Sequence, residues 1–187
     1  FSDINIDNKH LEIVMSWDAL GSSDKVLTVF EVKNNKVGLI FQNNFTAVKL
    51  LNVDGTGGED ILTLRLVEES EKRSSIAQVY SYKDNGMLSI GSAVLDSSVS
   101  SYAAINYDNR RNDSQTFIYI DSYLGQSEMI TEVLYWDNGL VAPLNDITTG
   151  ICSIESRDTS IMTRDIDGDG YLEIPSSASL YGSRETS

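Results

Sequence analysis

Cysteine is almost missing. Cys152 stands alone among 187 residues, so no intrachain disulfide and no cysteine-based zinc site can form. Its apolar, β-rich surroundings, TGICSIE, suit a small buried hydrophobe better than a nucleophile. Histidine is equally scarce: any His-dependent triad, zinc site or general base has to use His10, which falls inside an acidic loop and reads as a surface residue. Basic side chains are few as well. Lys and Arg total 14 against 28 Asp and Glu, a formal net charge of −14, which argues against a phosphate-tracking nucleic-acid binder and against docking on an anionic membrane.

Long hydrophobic runs are lacking too. None approaches the roughly 18 apolar residues of a membrane span, so no transmembrane segment is expected. The first residues, FSDINID, carry neither the basic nor the apolar region of a signal peptide, and the missing initiator Met suggests a processed or trimmed chain. There is no Gly-rich phosphate loop after a strand and no G-x-S-x-G elbow. With 41% hydrophobic and 22% charged residues, the composition is that of an ordinary globular protein.

Two markers recur along the chain. The first is an acidic loop rich in Asn and Gly: DINIDNKHLEI from Asp3, NVDGTGGEDIL from Asn52, NYDNRRNDSQTFI from Asn106 and DIDGDGYLEIP from Asp165, spaced 49, 54 and 59 residues apart. The second is a hairpin, two β-rich runs around a polar tip: VFEVKNNKVGLI, VYSYKDNGMLSI and EVLYWDNGLVAPL. Asn-Asn and Asn-Gly supply the left-handed residues that a tight turn needs. The first turn residues, Asn34, Asn85 and Asn138, follow their loop starts by 31, 33 and 32 positions, so the two markers keep phase.

Short strands fill the intervals: FTAVKLL, SSYAAI and TSIMTR before the loops, LEIVMSW, DILTLRL and TFIYI after them. Some alternate polar and apolar residues and others are apolar throughout, as expected for sheets with one or both faces covered. Four antiparallel strands about every 50 residues describe a β-propeller blade. The expectation is therefore an all-β chain, one propeller segment over residues 1–187 with about three and a half blades, belonging to a larger propeller or closing with another copy. A β-sandwich of short strands is the alternative.

The fourth loop places Asp165, Asp167, Asp169 and Glu173 at positions 1, 3, 5 and 9, with Gly168 and Gly170 permitting a tight turn and the Tyr171 carbonyl at position 7. Hard oxygen ligands at this density suit calcium. An EF-hand would need Glu at position 12, where Ser176 stands, and Pro175 with β-rich flanks argues against helices. Without a metal, such loops would be solvated acidic turns.

This loop, repeated in phase with the hairpins, resembles the FG-GAP or VCBS-type repeats of integrin-α-like calcium-binding β-propellers, including bacterial surface proteins and lipoproteins. The resemblance implies calcium at Asp165, Asp167, Asp169, Tyr171 and Glu173. It implies a possible site at Asp3, Asn5, Asp7, Lys9 and Glu12, where the loop is one residue longer, and a weak one at Asn52, Asp54, Thr56, Gly58 and Asp60, which carry fewer charges. In the third loop Arg110 and Arg111, beside Asp108 and Asp113, are expected to stand in for a cation.

The resemblance further implies a non-catalytic extracellular or cell-envelope module that binds a glycan or protein ligand. The alternatives are the propeller part of a secreted hydrolase or lyase acting on polysaccharide or lipid, and a structural module that self-associates through open blade edges. Trp17 and Trp136 at strand ends are expected to pack between blades rather than to stack on a sugar.

Overall fold

The computed structural model describes residue 4 and residues 11–19, 24–69, 72–84, 86–108, 116–126, 128–141, 154–158 and 161–175. These residues form twelve strands and no helix: β1 (Leu11–Asp18), β2 (Lys25–Lys33), β3 (Lys36–Phe45), β4 (Ala47–Leu51), β5 (Asp60–Glu69), β6 (Lys72–Lys83), β7 (Gly86–Leu95), β8 (Ser101–Asp108), β9 (Phe117–Tyr123), β10 (Glu128–Trp136), β11 (Leu140–Val141) and β12 (Ile154–Asp158). Every pairing is antiparallel and the strands make three sheets: β1-β2-β3, then β4-β5-β6-β7, then β8-β9-β10-β11 with β12 also on β10.

Local sequence explains the hairpins. Asn34 and Asn35 adopt φ of 52° and 58° between Lys33 and Lys36, the paired ends of β2 and β3. A two-residue turn of this hand matches the right-handed twist of its strands, and Asn tolerates it where β-branched residues would strain. The β6–β7 hairpin has the same length. There Asp84, with φ of 53°, is the first turn residue, one position before the Asn85 of the sequence pattern, which lies outside the described residues. Asn138 takes φ of 52° in the three-residue β10–β11 turn. Both longer hairpins carry a register shift at matching places, Val29/Phe30 and Val79/Tyr80, so the repeat extends to backbone irregularities.

Alternation along each strand then distributes side chains between two neighbours. Ile61 joins Leu27, Val29 and Phe45 in a cluster between the first and second sheets. The next residue, Leu62, points the other way and packs with Leu64, Val79, Ile118, Ile120 and Leu134 between the second and third. The third sheet repeats the pattern: Phe117, Tyr119 and Val133 turn outward, where Leu172 and Ile174 of the fourth loop region cover them. Each cluster buries apolar side chains worth about 1.5–3 kcal/mol apiece, which links the sheets in series.

The structure departs from the sequence expectation in four places. The first sheet has three strands among the described residues rather than four. The outer strand of the third sheet is divided: β9 occupies one edge of β10, while β11 pairs with Tyr135 and Trp136 and β12 with Glu128–Glu132 on the other. Strand β8 continues to Asp108, so Asn106, where the spacing predicts the third loop to begin, is a strand residue. Among the described residues of TSIMTR, 161–164, Arg164 alone pairs, in an isolated bridge to Glu173.

Buried polar groups tie the divided strand in place. Arg157 on β12 reaches Asp121 on β9 at 2.6 Å, with the two side chains 3% and 0% exposed. Asp121 also accepts the Thr163 N–H at 2.9 Å and the Thr163 hydroxyl at 2.7 Å, and the Thr131 hydroxyl bonds to the same carboxylate. The Arg157 Nε donates to the Ile161 carbonyl at 2.7 Å. A fully buried ion pair persists only when its remaining donors and acceptors are filled, and here they fasten the third sheet to the chain entering the fourth loop.

Candidate metal centre

Backbone pairing fixes the frame of the fourth loop. The antiparallel bridge joins Arg164 to Glu173 through N–H to carbonyl bonds of 3.2 and 2.9 Å, closing the ends of the loop. Gly168 and Gly170 take φ of 80° and 90°, a region that costs a residue with a Cβ about 1–2 kcal/mol. Side chains complete the frame: Asp165 accepts the Gly168 N–H at 2.7 Å and the Gly170 N–H at 2.9 Å, and Asp167 accepts the Asp169 N–H at 3.1 Å. Glu173 accepts the Ile166 N–H at 2.7 Å across the loop.

This arrangement brings one carboxylate oxygen each of Asp165, Asp167 and Glu173 within 4.8 Å of one another. Calcium takes several oxygen ligands at about 2.3–2.6 Å, so oxygens gathered this closely are candidates for sharing one ion. Asp169, expected in the same set, is not in this group; its carboxylate accepts the Tyr171 N–H at 2.8 Å. Asp165, Asp167 and Asp169 are exposed and Glu173 is half-buried, which leaves the cluster open to an ion from solvent.

The second loop is built on the same plan, 113 residues earlier. Gly55 and Gly57 have φ of 72° and 99°, matching Gly168 and Gly170. Asn52 accepts the Gly55 N–H at 2.9 Å, Asp54 accepts the Thr56 N–H at 3.0 Å, and Asp60 accepts the Val53 N–H at 2.8 Å. Its electrostatics differ. Asn52 and Thr56 replace two aspartates, and the Lys83 ammonium stands 3.9 Å from Asp54. Burial pushes the Asp60 carboxyl above the usual range, opposed by the Val53 N–H and the Ser81 hydroxyl, with the Asp54 charge adding to the rise. Sequence alone does not bring Lys83 to this loop, because it arrives from the far end of β6.

The other two loops are only partly described. Asp3, Asn5, Asp7, Lys9 and His10 lie outside the described residues, as do Arg110, Arg111, Asp113 and Cys152. Glu12 is described: it is buried and accepts the Ile4 N–H at 3.2 Å, the counterpart of the Asp60 and Glu173 bonds. Asp108 is buried at the end of β8. The tryptophans part company. Trp136 packs into the cluster between the second and third sheets, whereas Trp17 is 41% exposed.

Among the described residues, no helix is long and apolar enough to cross a membrane. No family model, curated protein or solved structure matches the chain.

Proposed function

We propose that the chain is a segment of a calcium-stabilised β-propeller of the FG-GAP or VCBS type, serving as a non-catalytic module that binds a glycan or protein ligand outside the cell or at its envelope. The observation that supports this reading is the fourth loop, where three carboxylates lie within 4.8 Å of one another in a frame of which the second loop repeats three hydrogen bonds. Three carboxylates held so close repel one another, and a divalent cation offsets that repulsion. Asp165, Asp167 and Glu173 would hold the ion. When bound, it supplies positive charge and a crosslink across the loop, not chemistry on a substrate.

The propeller reading is supported by the serial stacking of sheets, the middle strands of the second and third each shared between two apolar clusters. A self-associating module is the second reading, favoured by one observation. Met15 and Trp17, which alternate with the inward Val14 on β1, are exposed on the face of the first sheet turned away from the second. Sedimentation of a stable dimer would support it.

Thermal unfolding in excess EDTA and again in millimolar calcium tests the main reading. Calcium at one hundred times its dissociation constant adds about 2.7 kcal/mol, which for a chain of this size raises the midpoint by about 5–10 °C. Asp167→Ala is expected to abolish the rise. An unchanged midpoint in the native chain would sink the calcium assignment.

A further inference from the structure

At the end of the second sheet opposite the acidic loops, where elements of all three sheets meet, lies a cleft of about 530 Å³. Asp24 enters it from the start of β2, Thr46 from the β3–β4 link, Arg65 and Glu68 from β5, Arg73 from β6 and Ser100 from the lead into β8. Its volume lies within the range of small-molecule sites. Two arginines among these six side chains stand out in a chain with only 14 basic residues and a net charge of −14.

The two guanidiniums are engaged differently. Arg73 is bound to Glu68 through Nε and a terminal nitrogen and donates to the Val99 carbonyl at 3.3 Å, so it is largely committed. Arg65 has one partner among the described residues, Asp24 at 3.3 Å, and its side chain remains 42% exposed. Its Nε is buried with no acceptor among them. A guanidinium carries five N–H donors; with Nε buried, those that Arg65 can offer a ligand are on its two terminal nitrogens, one of which also bonds to Asp24. With side chains 42% and 19% exposed, the Arg65–Asp24 pair is partly screened by solvent and makes a single 3.3 Å bond, which leaves the guanidinium able to take a second acceptor.

We infer that this cleft is a binding site for a small hydroxylated carboxylate of the sugar-acid class, with Arg65 taking the carboxylate. Planar guanidinium and carboxylate match in a bidentate pair. Asp24 and Glu68 offer carboxylate oxygens for the ligand's hydroxyl groups; the Thr46 hydroxyl, which accepts the Leu66 N–H, keeps its own proton to donate, and the Ser100 hydroxyl, which donates to the Tyr123 carbonyl, keeps its lone pairs to accept. No aromatic side chain is among the cleft's described lining residues, so recognition is by hydrogen bonds and charge rather than by stacking. The acidity of the chain selects for low ligand charge: a phosphate of nearly two charges meets about twice the repulsion that a carboxylate does. The assignment deepens the reading of the chain as a ligand-binding module and does not depend on calcium at the fourth loop.

The test is a titration of the full chain with D-galacturonate, D-galactose and inorganic phosphate, followed by amide and arginine Nε–H resonances in NMR spectra. Galacturonate is expected to bind saturably and move the Arg65 Nε–H signal. Arg65→Gln and Arg65→Lys should each weaken it at least tenfold, the lysine variant because it keeps the charge but loses the fork. Repeating the series with Asp167→Ala separates the two proposals, since galacturonate should still bind when the metal loop is disabled. Absence of saturable binding, equal binding of galactose, tighter binding of phosphate, or an undiminished affinity in folded Arg65 variants would each overturn the assignment.

Discussion

Glu132 should make this protein less stable as pH rises from acid to neutral. The side chain projects from the middle of β10 between the second and third sheets and is 1% exposed. One carboxylate oxygen accepts the Asp96 N–H at 2.9 Å; the other has no partner among the described residues. Burial pushes the carboxyl up to about 7, the Asp96 N–H opposes the rise, and the Asp96 charge adds to it. Tyr102, which shares a 2.6 Å hydrogen bond with Ser75, faces the same space, and burial drives its hydroxyl up to about 12. Among the described residues, no positive charge acts on this carboxylate.

Below pH 4.5 the acid is protonated in both the folded and the unfolded chain. Between 4.5 and about 7 the unfolded chain ionises while the folded one keeps its proton, so unfolding becomes progressively easier. Above about 7 both states are charged and the loss is complete. A shift of this size corresponds to about 3 kcal/mol. Glu132→Gln removes the titration while keeping the acceptor for Asp96. Urea unfolding followed by tryptophan fluorescence in half-unit steps from pH 4 to 8 gives the difference between native and variant chains, which cancels the contribution of general charge repulsion. That difference should move in the variant's favour by about 3 kcal/mol across the range. A pH-independent difference would refute the reasoning, whatever the absolute stabilities.

Gly91→Ala should cost about 2 kcal/mol in the same assay. Its new methyl would lie 2.5 Å from the Leu140 backbone nitrogen and 3.1 Å from Trp136, where β7 meets β11, so a shift in Trp136 fluorescence should accompany the loss. Arg157→Ala leaves Asp121 charged and buried and is expected to destabilise by about 3–5 kcal/mol. The double variant Arg157→Met with Asp121→Asn removes both charges while leaving an amide oxygen to accept the Thr163 N–H, and in urea unfolding it should recover part of that loss; a double variant as weak as the single would contradict the desolvation argument.

Features set by neighbouring residues are legible in the sequence. The Asn34–Asn35 tip and the Gly168 and Gly170 bends rest on left-handed backbone that few residues tolerate, so residue type points to them directly. The start of the third loop is not legible in this way. Asn106-Tyr107-Asp108 reads equally well as an acidic loop or as strand with polar faces, and only pairing with Phe117, Ile118 and Tyr119 decides. Spacing puts Asp165, Asp167, Asp169 and Glu173 in one set, whereas the structure groups only Asp165, Asp167 and Glu173, a distinction that spacing does not encode.

The sequence by itself determined the all-β character, the hairpin tips and the repeating acidic loops, since turn chemistry and period-two alternation act over a few residues. Only the tertiary structure decided which face of each strand meets which sheet, that Arg157 closes on Asp121 36 positions earlier, that Lys83 stands beside Asp54, and that Arg65 and Glu132 end in a cleft and a core. Those outcomes depend on how stacked sheets share their side chains, a sum over partners distant in sequence.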